Sequence, residues 1–130
     1  MRLRAVAMAK ILIVEDEVNS AQALELYLSD RGHRVRGAAD AGEAIAAARE
    51  LEPDLLLTDV LLVGDRDGLA VARELRAADP DLPVVVMSGL PEHEVRERAS
   101  GIELFAICPK PLRLREIGAT VEAALSRRTA

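Results

Sequence analysis

The sequence predicts a doubly wound α/β domain, a five-stranded parallel sheet layered with five helices. Two observations carry this. Short, continuous apolar runs recur along the chain without polar alternation, the habit of strands covered on both faces. Between them lie stretches with helical apolar spacing, each bounded by a capping or breaking residue. Strands alternating with helices imply right-handed crossovers around one layered core.

The first strand is expected over residues 11–14, Ile-Leu-Ile-Val. In the helix that follows, Val18, Ala21, Leu24 and Leu28 share a face, and Gly32 supplies a stop. Residues 33–38 form the least apolar strand, placed near an edge. Asp40 caps a helix over residues 41–51, whose alanines favour that state, and Pro53 closes it. The third strand covers residues 55–57. Asp67 caps residues 68–78, where Leu69, Ala72, Leu75 and Arg76 follow helical spacing, and Pro80 ends the pattern. Val84-Val85-Val86-Met87 is the fourth strand, and residues 91–99 make a weak helix with few apolar anchors. The fifth strand is expected over residues 104–107. The last helix, residues 112–127, places Leu114, Ile117, Val121 and Leu125 on one stripe.

A chain of 130 residues, half of them hydrophobic, fits one domain with one core. We place it over residues 10–128 and read residues 1–9 as a disordered arm; Met8 is an alternative start. The net charge of −5 argues against direct binding of nucleic acid or of an anionic membrane surface. No stretch approaches a membrane span, and the arm's apolar part is too short for a signal peptide. Cys108 is the single cysteine, so no internal disulfide forms, and a cytoplasmic location is expected. His33 and His93 fall in expected surface segments.

In such sheets ligands bind beyond the carboxyl ends of the strands. The first strand is followed by Glu15, Asp16 and Glu17, the third by Asp59, the fourth by Ser88-Gly89, and the fifth by Lys110-Pro111. Each has a bland reading as a cap, a turn residue or a surface lysine. Together they make a phosphoryl-transfer site. Clustered carboxylates repel one another, and a Mg²⁺ ion relieves this because it prefers a few carboxylate oxygens plus water and phosphate. A carboxylate nucleophile gives an aspartyl phosphate, while Lys110 and the Ser88 hydroxyl hold the other phosphoryl oxygens. The chain has only two lysines, Lys10 and Lys110, so a compact point charge at this edge stands out.

Glu15-Asp16-Glu17 after the first strand, Thr58-Asp59, Asp67-Gly68, Ser88-Gly89 and Lys110-Pro111, in this order, resemble a response-regulator receiver domain from about residue 10 to residue 127. The resemblance implies the flavodoxin-like strand order 2-1-3-4-5, that of chemotaxis receivers. It implies that Asp59 is the phosphoacceptor, with Lys110 contacting phosphate and Ser88 as the switch hydroxyl. Asp16 and Asp59 would ligate Mg²⁺ directly, Glu15 through water, and Leu61 through its backbone carbonyl. It further implies a cis Lys110-Pro111 bond and a phosphohistidine donor on a sensor histidine kinase or a histidine phosphotransfer domain. Output would run through the fourth helix, fifth strand and fifth helix, toward a downstream protein or a second copy in a homodimer.

The chain departs from the family pattern in places. Val63 stands where a proline is usual four residues after the aspartate, and the stretch to Asp67-Gly68 is one residue longer than the commonest form. The switch aromatic is replaced by Ile107; strand alternation gives Phe105, two residues earlier, the same facing, so Phe105 is a candidate substitute, with plain core packing the favoured reading. Leu61 and Leu90 flank the water path to the aspartyl phosphate, and neither can orient a water, so self-dephosphorylation is expected to be slow. Two expectations stand for the whole protein: a stand-alone receiver, or one domain of a longer regulator. The rival functions are weaker. A flavin site would want a Ser/Thr/Gly loop where the three acids stand. A phosphatase would want a carboxylate at Leu61, and a non-phosphorylated interaction module would have no need of the complete acidic set.

Overall fold

The computed structural model describes Ala9–Thr129, so the arm expected over residues 1–9 lies almost wholly outside the described residues. Five strands and five helices alternate: β1 (Lys10–Val14), α1 (Val18–Asp30), β2 (Arg34–Ala38), α2 (Ala41–Leu51), β3 (Leu55–Asp59), α3 (Gly68–Ala78), β4 (Val84–Ser88), α4 (Glu92–Arg98), β5 (Ala106–Pro109) and α5 (Leu114–Thr129). All neighbouring strands are parallel, in the order β2-β1-β3-β4-β5, the flavodoxin-like arrangement. Among the described residues no helix is long and apolar enough to cross a membrane.

The uninterrupted apolar runs are explained by two-sided burial. Leu12, Val14, Leu56, Val84 and Val86 pack toward α2, α3 and α4, while Ile11, Ile13, Leu55, Leu57, Val85 and Met87 pack toward α1 and α5. The caps are local. Asp40 accepts from Glu43 N (2.8 Å) while Glu43 Oε1 reaches back past the cap to accept from Ala39 N (2.9 Å), a variant of the capping box. Asp67 accepts from Ala70 N at 2.9 Å. Gly32 takes the left-handed conformation, φ 97°, just after α1.

Four expectations are corrected. Val18, placed on the buried face of α1, is 64% exposed, and only Leu24 and Leu28 of that stripe are fully buried. The fifth strand starts two residues late: pairing begins with Ala106 opposite Val85, after a bend at Phe105. That bend breaks the alternation, so Phe105 packs on the α1/α5 side under the Arg127 guanidinium, and Ile107 packs on the other. Phe105 therefore does not take the facing of the missing aromatic. Pro109 ends an edge strand, where its missing N–H costs nothing.

His33 is buried, not solvated, and neither ring nitrogen has a hydrogen-bond partner. Burial pushes its pKa down, so it is held neutral at the α1–β2 turn.

Candidate phosphoacceptor site

The C-terminal ends of β1 and β3 lie side by side, Val14 opposite Thr58, which sets the acids after β1 against Asp59. Glu15, Asp16 and Asp59 each bring a carboxylate oxygen to within 4.8 Å of the others. Lys110 reaches in from the end of β5: its Nζ lies 2.8 Å from Asp59 Oδ1 and 3.5 Å from Glu15 Oε1. Glu15 and Asp59 are only 3% and 2% exposed. Glu17 stays outside, as the cap of α1, where its carboxylate accepts from Ser20 N (2.7 Å) and Asn19 N (3.3 Å).

Ser88 ends β4, one residue past Met87, the register partner of Asp59, and its Oγ accepts from Leu90 N at 2.8 Å. Lys110 N donates to Ser88 O at 2.9 Å, which ties the two strand ends together. The Lys110-Pro111 bond is cis. Leu61 is half exposed in the β3–α3 loop.

Two buried carboxyl groups this close do not both ionise freely. Burial first, then the hydrogen bond shared with Glu15, push Asp59 up to about 7, against the pull of Lys110. Burial also works against ionisation of Glu15, but the bonds from Asp59, the Glu17 amide and Lys110 outweigh it and hold Glu15 below the usual carboxylate range. The pair thus shares one proton until near neutrality. Lys110 loses some basicity to burial but regains more from the two acids, so it remains a cation.

These residues fit a divalent metal. Three carboxylate oxygens converge, and Asp59 Oδ1, although in ion-pair range of Lys110, is buried without an aligned hydrogen-bond donor. A hard cation satisfies such an oxygen and removes the repulsion. A crevice of about 720 Å³ lies at the opposite edge of the sheet beside Lys10, Asp54 and Asp79, away from these acids.

Two contributions to the site carry no side-chain signature. Gly68 N donates to Val60 O (2.8 Å), and a Cβ at Gly68 would strike the Asp59 carbonyl oxygen. Val63 N donates to Asp16 Oδ2 at 2.9 Å across the loop. The Asp67-Gly68 pair is visible as a motif; the Val63 amide is not, because any residue but proline supplies one.

The sequence profile of the response regulator receiver domain matches residues 11–122. Response regulator MprA of Mycolicibacterium vanbaalenii is 35% identical over 122 residues, covering 92% of this chain and 52% of that protein. MprA of Mycobacterium ulcerans is 36% identical over 91% of this chain and 50% of its own length, so the chain spans about half of these relatives. Among solved structures, the receiver domain of NtrX from Brucella abortus superposes with a TM-score of 0.80 at 37% identity, over 88% of this chain and 97% of that one. A two-component response regulator from Clostridium difficile gives 0.83 at 28% identity, over 94% and 99%. A profile match over most of the chain, on top of this sheet and this acidic edge, assigns the family: the chain is a member of the response regulator receiver domain family.

Proposed function

We propose that Asp59 accepts a phosphoryl group from a phosphohistidine on a sensor histidine kinase or histidine phosphotransfer domain, with Mg²⁺ bound at Glu15, Asp16 and Asp59. The observation that carries this is the meeting of three carboxylates with the Lys110 ammonium, 2.8 Å from Asp59, at the carboxyl edge of the sheet. A carboxylate oxygen of Asp59 forms the new P–O bond as the N–P bond to the donor imidazole breaks. Lys110 neutralises charge on the phosphoryl oxygens, and Ser88, whose Oγ accepts from Leu90 N, donates its O–H to one of them. The metal, when bound, keeps Asp59 ionised and screens the incoming anion. Asp16 and Asp59 would hold it, with Glu15 acting through water and the Leu61 carbonyl completing the protein ligands. The unit so described spans residues 10–128 and works as a cytoplasmic signalling domain; its only chemistry is its own phosphorylation and dephosphorylation.

Without an aromatic facing Ser88, output runs from the Ser88 hydroxyl to α4, which Val95 alone anchors fully within the helix. A small bias on such an element is enough to change what α4, β5 and α5 present to a downstream protein or a second copy.

Incubation of the protein with acetyl phosphate and Mg²⁺, read by intact mass, gives one phosphoryl adduct that is absent with EDTA and absent in Asp59→Asn. No adduct on the wild type would overturn the reading and favour a non-phosphorylated interaction module. Self-dephosphorylation is slow, because Leu61 and Leu90 offer no group to orient a water. Leu61→Asn is expected to speed loss of the label, by less than the roughly hundredfold at which general acid–base catalysis by a positioned side chain begins. An unchanged or slower decay would refute the water-path argument.

A further inference from the structure

We infer that the backbone N–H of Val63 is a positioning group for Asp16, so that metal binding and the conformation of the β3–α3 loop are coupled in this chain. The inference rests on the metal site proposed above. Glu15 is held from two sides, by Glu17 N at 3.0 Å and by Lys110. Asp59 is fixed by its place at the end of a fully buried strand. Asp16 is different. It is half-buried at the rim, and its Oδ2 takes a hydrogen bond from an amide 47 residues away in sequence.

The Val63 side chain has no structural reason to hold that amide in place, for it is 74% exposed. The next residue, Gly64, sits at φ 108°, a left-handed turn that a side chain would strain and that lets the loop fold back over Asp16. The loop therefore meets the site through backbone. One oxygen of Asp16 is tethered, which restricts rotation of the carboxylate and leaves its remaining lone pairs to face Glu15 and Asp59. Hydrogen bonds to ligating carboxylates fix their orientation and are felt in metal affinity. By linkage, a metal that prefers the tethered Asp16 must in turn order the loop that tethers it.

The test uses the whole chain with Mn²⁺ as a paramagnetic substitute for Mg²⁺, its free concentration read by electron paramagnetic resonance. Val63→Ala keeps the N–H and is expected to bind within about twofold of wild type, whereas Val63→Pro removes it and is expected to bind about tenfold more weakly. Amide exchange followed by NMR supplies a readout that needs no proline. The Val63 amide of the wild type is expected to exchange about tenfold more slowly than in Asp16→Ala, and more slowly again with Mg²⁺. Equal Mn²⁺ affinity in Val63→Pro, or Val63 exchange indifferent to Asp16→Ala, would overturn the positioning role while leaving the metal site standing. A wild type that binds no Mn²⁺ would overturn the metal site and the coupling with it.

Discussion

Asp59→Asn is expected to make the metal-free protein more stable at pH 8, by about 2–4 kcal/mol. The sign follows from linkage. The Asp59 carboxyl is raised to about 7 in the folded protein, by burial and by Glu15, from an unfolded value near 3.8. Between those two values the folded state binds more protons than the unfolded state, so this group's contribution to stability falls as pH rises. The contribution is fully present below about pH 4, is lost progressively toward about pH 7, and is absent above it. Asparagine is nearly the same shape, carries no charge, and its amide donates to Glu15 as the protonated carboxyl does. Proton sharing with Glu15 spreads the effect over both groups, which sets the lower figure of the range. In EDTA the thermal midpoint of Asp59→Asn should exceed that of wild type by about 6–15 °C at pH 8 for a domain of this size. The difference should vanish toward pH 4, and Mg²⁺ should narrow it by stabilising only the wild type. A difference that does not change with pH would show that the carboxyl pair carries no stored repulsion.

Gly68→Ala is expected to cost about 3–5 kcal/mol, among the larger effects available to a single methyl group. The added Cβ would collide with the Asp59 carbonyl oxygen and lie 2.7 Å from Thr58 Oγ1. Neither obstacle yields cheaply. Asp59 belongs to β3, fully buried between β1 and β4, and Thr58 Oγ1 is already engaged as donor to the Asp59 carbonyl at 2.9 Å. Relief requires α3 to back away, which breaks the bond from Gly68 N to Val60 O and shifts the loop above the site. The variant should therefore lose the proposed phosphoacceptor activity along with stability. Gly89→Ala is the control, since a Cβ there meets nothing within 4 Å, and its unfolding midpoint in urea should match that of wild type. A Gly68→Ala protein with a wild-type midpoint would mean that α3 is not pinned against the end of β3.

Much of this protein is determined by local sequence. Apolar runs such as Ile11–Val14 and Val84–Met87 are long enough only for strands and too apolar for an open face, so five parallel strands follow. Asp40 and Asp67 start helices through bonds to amides three residues on, a contact that needs no tertiary partner. The acids, Ser88 and Lys110 are legible because strand ends in this architecture share one edge, so their positions in sequence already imply their meeting. What only the tertiary structure decided depends on packing between segments far apart in sequence. Whether Val18 is covered depends on what packs over the first turn of α1, and whether His33 is buried depends on how the α1–β2 turn packs. Phe105 and Ile107 part to opposite faces because the chain bends at Phe105, whose amide already bonds to Val84 O, and regular alternation starts only at Ala106 opposite Val85. The donor that tethers Asp16 is the backbone N–H of Val63, so no side-chain pattern at position 63 announces it. The raised pKa of Asp59 is tertiary as well: it needs both the burial and the approach of Glu15 that the β1–β3 register brings about.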